Sequence, residues 1–407
     1  MIKIKSVHAR EVLDSRGHPT VEAEVNGYRA ITPAGASKGK HEAVELRDGE
    51  KRYNGLGAQR AVNNVNKIIS KHLVGKELNQ KKVDEVLCGL AGNNKWKLGA
   101  NATTAVSMAT CKALDVVKTV SVMSKSRPCI PVPFMNVING GAHAENNLNI
   151  QEFMLVPLKF STFSAATQAA CEIYYNLKEA IIEKYGKISA NVGDEGGFAP
   201  NIGSTRDALM LLWKAIDETG YADNVKIAID AAASQFFHGK YSIDGKLLDA
   251  AQLADYYIDL TKIFPIISIE DPFHEEDFDS FALLKNKAKR CFVVGDDLTA
   301  TNPERIKKAI EKDSCNSLLV KINQIGTVTE AVDAAVLARK SNWNIIVSHR
   351  SGDSEDTFIA DFAVALGTFG AKFGAPARSE RTAKYNQLLR LEEELKVPYA
   401  GKNFKLL

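Results

Sequence analysis

The chain has 407 residues, of which 45% are hydrophobic and 25% charged, and its formal net charge is +3. This composition is typical of a soluble globular protein of two domains, or of a barrel with an appended domain, and excludes a collagen-like or disordered chain. The charges of both signs are interspersed without a basic stripe, so nucleic acid is not an expected partner.

The sequence carries no targeting or membrane signal. Its first residues alternate apolar and polar, unlike a signal peptide, and no stretch reaches the roughly 18 apolar residues of a membrane span. The six cysteines lie far apart and form no C-x-x-C pair, which is typical of reduced thiols in a protein core. We therefore expect a cytoplasmic protein.

The first quarter of the sequence combines strands with helices. Residues 1–26 alternate apolar and polar on both sides of a turn at residues 14–17, which predicts an antiparallel hairpin. Helical apolar spacing follows in three segments, residues 57–73, 81–90 and 99–117. This order of elements indicates an α+β domain.

A proline-rich segment separates this part from the rest of the chain. Pro128, Pro131 and Pro133 prevent a helix and favour extended backbone. We place the domain boundary here, which predicts an N-terminal α+β domain at residues 1–127 and a C-terminal domain at residues 128–407.

The C-terminal domain repeats short apolar runs that are separated by segments of helix length. Such runs are typical of buried parallel strands, and repeated βα units at this spacing close most readily into an eight-stranded barrel. The predicted fold is therefore α/β, with a C-terminal (βα)8-type barrel and a smaller N-terminal domain. Five runs end in ionisable residues: Asp230, Glu270, Asp296, Lys321 and His349. One such residue alone would be a solvated strand end, but five together predict an active site.

Three of these residues predict a metal site. Asp230, Glu270 and Asp296 would repel one another at a single barrel mouth unless a cation lay between them. We expect Mg²⁺, because oxygen donors suit it and no cysteine or histidine cluster favours zinc. The alternative is an acidic rim without a metal, which the apolar strand before each carboxylate disfavours.

Two further residues are candidates for acid–base chemistry. A free lysine has a pKa of about 10.4, whereas a useful base needs about 7 to 8, and we expect a neighbouring metal to lower the pKa of Lys321. A structural ion pair with one of the carboxylates is the alternative for Lys321. Glu195 lies in a glycine-rich run that is either a flexible turn or a loop that brings this acid to a substrate.

These residues belong to motifs that together resemble the enolase family. The resemblance extends from residue 14 to residue 390. The most specific motifs are Asn191-Val-Gly-Asp-Glu-Gly-Gly197, Ser268-Ile-Glu-Asp-Pro272, Gly295-Asp-Asp-Leu298, Val347-Ser-His-Arg-Ser-Gly352 and Gly374-Ala-Pro-Ala-Arg-Ser-Glu380. The resemblance implies a phosphopyruvate hydratase, a glycolytic lyase that interconverts 2-phospho-D-glycerate and phosphoenolpyruvate plus water. It also implies a small phosphorylated substrate and a homo-oligomer of two or more subunits.

The resemblance implies a role for each matching residue. Three carboxylates would hold a first Mg²⁺: Asp230, Glu270 and Asp296. Ser37 would hold a second Mg²⁺ that binds with the substrate. Lys321 would be the base that removes the proton next to the carboxylate, and Glu195 the acid that helps the hydroxyl group leave. Enolase-type sites with a lysine base and Mg²⁺ ions are a general pattern of this chemistry.

Seven further positions would line the substrate by the same resemblance. They are His143, Gln151, Glu152, His349, Arg350, Ser351 and Lys372. Arg350 and Ser351 would bind the phosphate, whose oxygens suit a fork of donors. Lys372 and two metal ions would offset the negative charge that proton removal creates.

The chain departs from the family pattern near the second metal position. The usual Pro-Ser-Gly-Ala-Ser-Thr-Gly loop here contains Ala34 and Lys38. We expect Lys38 either to weaken the second Mg²⁺ by repulsion or to replace part of its charge, unless the side chain points to solvent. Phe373 replaces a threonine and is expected to tilt Lys372.

Two other functions stay open at this point. One is another dehydratase or a racemase of the same superfamily that acts on a non-phosphorylated acid, which Ser37 and the motif at residues 348–351 disfavour. The other is a non-catalytic or weakly active binding protein with the same fold. The presence of both Lys321 and Glu195 argues against the second alternative.

Overall fold

The computed structural model describes residues 2–36, 39–49, 51–144 and 146–404. Ser37 and Lys38, for which the sequence predicts roles, lie outside these residues. The described strands form a three-stranded sheet, a closed eight-stranded barrel and a two-stranded sheet. The predicted α/β fold class is confirmed.

The N-terminal sheet is antiparallel. It consists of β1 (Val7–Leu13), β2 (Pro19–Val25) and β3 (Tyr28–Ile31) in that order. The predicted hairpin corresponds to β1 and β2, and the sequence analysis missed β3. Asp14 fixes the turn between β1 and β2, because its Oδ1 accepts hydrogen bonds from the backbone N–H groups of Arg16 and His18 at 2.8 and 3.0 Å.

Helices follow the N-terminal sheet. They are α1 (Gln59–Asn64), α2 (Ser70–Leu73), α3 (Gln80–Ala91), α4 (Ala100–Ala113) and α5 (Val116–Ser124), with a π-helical segment, Val65–Ile69, between α1 and α2. The single helix predicted over residues 99–117 is wrong at its C-terminal end. Asp115 adopts a φ of 72° and its side chain accepts a hydrogen bond from Lys118 N, so it ends one helix and caps the next.

The barrel begins after the proline-rich segment. Its strands and the small hairpin inserted among them are β4 (Val132–Asn139), β5 (Glu152–Pro157), β6 (Val225–Asp230), β7 (Tyr241–Ile243), β8 (Lys246–Leu248), β9 (Ile266–Glu270), β10 (Phe292–Gly295), β11 (Ser317–Val320), β12 (Asn344–Ser348) and β13 (Gly370–Lys372). Around the closed ring the order is β10-β11-β12-β13-β4-β5-β6-β9. All eight residues of β4 are buried, as expected for a strand covered on both faces.

One strand departs from the uniform βα repeat. β5 runs antiparallel to both of its neighbours, β4 and β6, whereas the other neighbouring pairs in the ring are parallel. The start of β5 therefore reaches the same end of the barrel as the ends of the other strands. The sequence analysis did not predict this reversal, because apolar runs do not encode strand direction.

Helices surround the barrel. They are α6 (Phe163–Tyr185), α7 (Thr205–Glu218), α8 (Ala250–Ile263), α9 (Phe278–Lys287), α10 (Pro303–Glu311), α11 (Ile322–Ile325), α12 (Val328–Lys340), α13 (Phe358–Leu366) and α14 (Ser379–Leu395). None of the helices in the described part of the chain has the length and apolar character needed to cross a membrane.

The N-terminal part of the chain lies against loops at the end of the barrel where the strands terminate. Ala34 N donates to Gly352 O at 2.7 Å, and Ala34 O accepts the return bond from Gly352 N at 2.9 Å. Ala43 N donates to Gln324 O at 2.7 Å, in the helix that directly follows Lys321. These bonds hold Ala34 and Ala43 against the loops at the barrel mouth.

We predict that Asp361→Asn stabilises the protein at neutral and higher pH. Burial raises the pKa of the Asp361 carboxyl from 3.8 to about 6, despite a hydrogen bond from Gln387. Folding thus disfavours the ionised form, and this group's contribution to stability is lost as pH rises from 3.8 through 6. Because one pKa unit corresponds to about 1.4 kcal/mol, we expect a gain of about 1 to 3 kcal/mol at pH ~8.

Denaturant unfolding of parent and variant at pH ~4 and pH ~8 measures this effect. The gain should be confined to the higher pH, because the parent carboxyl keeps its proton at the lower one. Equal stabilities at pH ~8 would contradict the prediction.

Candidate active site

The five ionisable residues predicted at strand ends lie at one end of the barrel. Asp230 and Glu270 are the last residues of β6 and β9, and Asp296, Lys321 and His349 directly follow β10, β11 and β12. All but Lys321 are buried, and the three acids are 3 to 7% exposed. The structure thus brings these side chains together at the mouth.

The mouth is a narrow polar cleft with a cavity volume of about 30 Å³. Eleven of the residues predicted from the sequence line it: His143, Gln151, Glu152, Glu195, Asp230, Asp296, Lys321, His349, Arg350, Ser351 and Lys372. Glu270 lies behind this lining and reaches it through Lys372. Ser37 lies outside the described residues, so its place in the site stays a prediction.

The reversed strand β5 brings Gln151 and Glu152 to the mouth. Glu152 is its first residue and stands beside Asp230 in the register of β5 with β6, while Asp230 stands beside Glu270 in the register of β6 with β9. Three carboxylates therefore form a row across three neighbouring strands. Gln151 Nε2 donates to Asp230 Oδ2 at 3.3 Å.

Lys372 crosses the mouth to this row from β13. Its Nζ lies 2.8 Å from Asp230 Oδ2, 2.7 Å from Glu270 Oε1 and 3.2 Å from Glu152 Oε2. Burial would lower the pKa of Lys372, but the carboxylates, Asp230 first, raise it well above its usual range. The ammonium is therefore a fixed positive charge beside the row of acids. The neighbouring Phe373 is buried and packs against Tyr385. With phenylalanine at this position, Lys372 contacts all three carboxylates.

Lys321 forms an ion pair with Asp296. Burial would lower the pKa of Lys321, but the attraction of Asp296 raises it above 10.5. This is the ion pair that the sequence analysis kept as an alternative. The pKa of Lys321 is therefore raised rather than lowered as predicted, because the Asp296 carboxylate stabilises the Lys321 ammonium. Gln324 Nε2 donates to the other oxygen, Asp296 Oδ1, at 2.9 Å.

A second cluster of acids surrounds His143. Its Nδ1 lies 3.5 Å from Glu152 Oε1 and 3.7 Å from Glu195 Oε1. On the other side of the ring, Nε2 lies 3.1 Å from Ser351 Oγ, which donates to Glu195 Oε1 at 3.2 Å. Asn136 Nδ2 donates to Glu195 Oε2 at 3.2 Å. Two carboxylates, one imidazole and one hydroxyl group thus form a connected network.

The two glutamates of this network differ in proton affinity. Burial and the neighbouring Glu195 raise the pKa of Glu152 well above its usual range. Burial alone would also raise the pKa of Glu195, but His143, His349 and Arg381 outweigh it and hold that pKa well below its usual range. Of the two carboxyl groups, Glu152 is therefore the one that holds a proton more readily.

Arg350 is held in the mouth by an acid of the N-terminal part. Its Nη1 and Nη2 lie 2.8 and 3.0 Å from the two carboxylate oxygens of Glu42, in a bidentate pair. Gln324 Nε2 approaches the same carboxylate at 3.3 Å. Glu42 thereby links the segment around residue 40 to both sides of the mouth.

The donor set fits a divalent cation. Six carboxylates line the cleft, from Glu152, Glu195, Asp230, Asp271, Asp296 and Asp297, against three cationic side chains, Lys321, Arg350 and Lys372. Burial and the neighbouring Asp230 raise the pKa of Glu270 well above its usual range. A cation among these acids would favour their ionised forms. Carboxylate oxygens are ligands that Mg²⁺ prefers.

The possible metal-binding atoms that lie closest together belong mostly to residues other than the predicted metal ligands. Among the described residues, donor atoms lie within 4.8 Å of one another in two groups, His143 with Glu152 and Glu195, and Asp271 with Asp296 and the partly exposed Asp297. The predicted trio of Asp230, Glu270 and Asp296 is not grouped so closely, because Lys372 and Lys321 lie against its carboxylates.

Two protein-family models match the chain. The enolase N-terminal domain matches residues 4–124, and the enolase C-terminal TIM barrel domain matches residues 127–406. The chain is also 51% identical to an enolase of Methanocaldococcus jannaschii over 416 residues, which cover 99% of this chain and 98% of the relative. The chain belongs to the enolase family. The activity predicted from the sequence, that of a phosphopyruvate hydratase, is confirmed with it.

Two other enolases are similarly close. The enolase of Methanococcoides burtonii is 52% identical over 405 residues, covering 96% of this chain and 95% of the relative. That of Pyrococcus furiosus is 50% identical over 421 residues, covering 99% and 98%. Identity over nearly the full length of each enolase means that both the N-terminal part and the barrel of the family are present.

The enolase motifs contain functional candidates that the sequence analysis did not single out. Asp271 follows the metal candidate Glu270, and its carboxylate accepts hydrogen bonds from Asp296 N and Asp297 N at 2.9 and 2.7 Å. Arg381 follows the last quoted motif and is fully buried beside His349. Asp271 lies within a quoted motif and Arg381 directly follows one, but their partners come from distant segments that no spacing rule connects.

Proposed function

We propose that the mouth of this barrel dehydrates 2-phospho-D-glycerate by placing a base and an acid on opposite walls. Lys321 follows β11 and Glu152 begins β5, and these strands are four places apart in a ring of eight. A proton can then leave the substrate toward one wall while a hydroxyl group leaves toward the other. This opposition is the observation that supports the proposal most strongly.

Lys321 is the proposed base. Its neutral amine takes the proton from the carbon next to the substrate carboxylate, and the electron pair of that C–H bond moves toward the carboxylate. The carboxylate thereby gains a second negative charge. Lys372, a buried ammonium among the mouth's acids, stabilises this charge electrostatically.

Asp230, Glu270 and Asp296 are the proposed ligands of a first Mg²⁺, and Ser37 is the proposed ligand of a second. When bound, the metal supplies positive charge that stabilises the doubly charged carboxylate. As a metal ligand, Asp296 would share its negative charge with the ion and would hold the proton of Lys321 less strongly, so the pKa of Lys321 would fall toward the range of a base.

Glu195 is the proposed acid, and it acts together with Glu152. The shared proton reaches the leaving hydroxyl group, so that water departs as the carbon–oxygen bond breaks and the double bond forms. Because Glu152 holds a proton more readily than Glu195, we propose that His143 and Ser351 relay this proton from Glu152 to Glu195. Gln151 hydrogen-bonds Asp230 and completes this side of the mouth.

Arg350 and Ser351 are proposed to bind the substrate phosphate. A guanidinium fork matches two phosphate oxygens, and Glu42 fixes its orientation before the substrate arrives. His349 directly precedes Arg350 and is proposed to line the substrate on the same side. Because Arg350 and Ser351 together suit a phosphate group, we propose a phosphorylated substrate rather than a carboxylic acid without phosphate.

Three further parts complete the proposal. The proline-rich segment supports a division into domains at residues 1–127 and 128–407, the family resemblance supports a homo-oligomeric assembly, and a cytoplasmic location agrees with a glycolytic activity. Lys38, next to Ser37 in the sequence, is proposed to alter the Mg²⁺ requirement of the enzyme. Comparing the Mg²⁺ dependence of Lys38→Thr with that of the parent would test this.

A spectrophotometric assay with 2-phosphoglycerate and graded Mg²⁺ tests the function, with phosphoenolpyruvate formation as the readout. We predict that Glu195→Gln reduces dehydration by about 10²- to 10⁴-fold, because general acid help is lost. The same variant should retain exchange of the substrate's C2 hydrogen with solvent deuterium, since that step needs only the base.

Glu172→Gln is the matched control, because Glu172 is a glutamate of α6 that accepts hydrogen bonds outside the mouth. It should behave as the parent in both assays. Loss of deuterium exchange in Glu195→Gln to the same extent as dehydration would contradict the acid role. Absence of phosphoenolpyruvate with the parent protein at every Mg²⁺ concentration would refute the function itself.

A further inference from the structure

Arg381 occupies a central position behind the mouth. Its side chain is fully buried, and it projects from α14 toward the loops after β12. Its Nη1 lies 2.5 Å from His349 Nδ1 and donates to Arg350 O at 2.7 Å. Its Nη2 donates to Ser351 O at 2.6 Å and to Asp194 O at 3.0 Å.

We propose that Arg381 is a positioning residue that fixes His349 as the neutral tautomer with hydrogen on Nε2 and aims this N–H at Glu195. The inference deepens the proposed function, on which it rests. It assigns a role to a residue that touches neither the substrate position nor the metal ligands. The proposal rests on the donor chemistry of Arg381, the acceptor chemistry of His349 and the contacts around them.

The tautomer follows from the donor chemistry of arginine. A guanidinium has N–H donors and no acceptor, so the imidazole nitrogen that faces it must present a lone pair. His349 Nδ1 faces Arg381 and is therefore the unprotonated nitrogen. The ring hydrogen of neutral His349 is then on Nε2, which lies 3.3 Å from Glu195 Oε2.

The charge state of His349 agrees with this geometry. The pKa of His349 is lowered to about 4, mainly by burial and also by the positive charge of Arg381, while Glu195 and Asp353 oppose the change. The ring is thus neutral at physiological pH and carries one N–H. Glu195 Oε2, at 3.3 Å, faces this N–H, while Asn136 and Ser351 donate hydrogen bonds to the same carboxylate.

The same guanidinium holds the backbone around three proposed site residues. Its bonds to Arg350 O and Ser351 O fix the segment proposed to bind phosphate, and its bond to Asp194 O fixes the loop of Glu195. Gly374 makes the close packing possible, since it has a φ of 83° and an added Cβ would lie 2.7 Å from Glu195 O and 2.9 Å from Arg381 Cδ. The buried Arg381 side chain therefore fixes the segment of Arg350 and Ser351 relative to the loop of Glu195.

Nitrogen-15 NMR of the full-length, Mg²⁺-loaded protein with labelled histidine tests the tautomer directly. The chain has 8 histidines, and His349→Gln assigns the signal. We expect the parent to show Nε2–H and an unprotonated Nδ1 at His349. An Nδ1–H tautomer in the parent would overturn the proposal, and this measurement requires no activity.

The variants Arg381→Met and Arg381→Lys test the consequence. Arg381→Met should mix the two tautomers and lower kcat for 2-phosphoglycerate by about 10- to 100-fold, with a smaller change in KM, as expected for loss of a residue that orients a site group. Without the guanidinium charge the pKa of His349 moves from about 4 toward 6.5, so a new ionisation should enter the pH profile of kcat. Arg381→Lys should recover part of kcat, since an ammonium still donates to Nδ1.

Arg339→Met is the matched control, because this arginine of α12 also donates to a backbone carbonyl, Leu366 O at 2.6 Å, outside the mouth. It should leave the His349 signal and the pH profile unchanged. An Arg381→Met protein with the parent's tautomer and kcat would overturn the proposal. If that variant does not fold, the parent spectrum and Arg381→Lys decide the question. A parent that does not turn over 2-phosphoglycerate would refute the proposed function and leave the tautomer measurement valid.

Discussion

Lys321→Ala is expected to lower kcat for 2-phosphoglycerate by about 10²- to 10⁴-fold, the contribution of a positioned general base. It should also abolish exchange of the C2 hydrogen with solvent deuterium, because no other group at that wall is proposed to take this proton. Loss of both reactions distinguishes this variant from Glu195→Gln, for which exchange should persist. Phosphoenolpyruvate absorbance and the deuterium content of recovered substrate give the two readouts.

The matched control is Lys95→Ala. Lys95 is, like Lys321, a lysine paired with a carboxylate, Glu330 at 2.8 Å, but it is buried where α3 and α12 meet rather than in the mouth. This control should lose stability and keep its kcat. Deuterium exchange at the parent rate in Lys321→Ala would refute the base assignment, whatever the effect on dehydration.

Removal of Mg²⁺ by a chelator should reduce activity to background, and Asp230→Asn should weaken Mg²⁺ binding by at least about 10²-fold. Substitution of groups around metal ligands already costs 10- to 100-fold, and loss of a ligand charge costs more. Isothermal titration of Mg²⁺ into metal-free protein gives the affinity, and restored activity on adding Mg²⁺ gives the function.

Asp361→Asn serves as the control for the metal experiment, because it removes the charge of another largely buried aspartate, on α13, away from the mouth. Its Mg²⁺ affinity should equal that of the parent. Parent-like Mg²⁺ affinity in Asp230→Asn would show that the ion binds elsewhere, with the close group of Asp271, Asp296 and Asp297 as the next site to substitute.

The electrostatics of the mouth link the proposed metal ligands to the proposed base. Asp296 pairs with the Lys321 ammonium, and this ion pair raises the lysine pKa. Lys372 similarly neutralises Asp230 and Glu270. If these carboxylates hold Mg²⁺ as proposed, both ion pairs would share their acids with the ion, and we expect the activity of the base to depend on Mg²⁺.

The sequence by itself determined the fold class and five of the site positions. Asp230 and its four counterparts each follow an apolar run, and parallel strands in a barrel bring all such ends to one mouth. The motifs of the enolase family added the polar residues in the connecting loops. Local pattern was sufficient here because strand burial and strand ends are both visible in consecutive residues.

Only the tertiary structure decided how these residues are connected. The reversal of β5 places Glu152 in the row of carboxylates, and apolar spacing contains no information on strand direction. Arg381 meets His349 across 32 residues, and Glu42 meets Arg350 across 308. The charge state of each buried group depends on such partners, because desolvation penalises a charge that burial leaves unpaired. The sequence therefore determined which groups reach the mouth, and the packing of distant segments decided which of them carry protons.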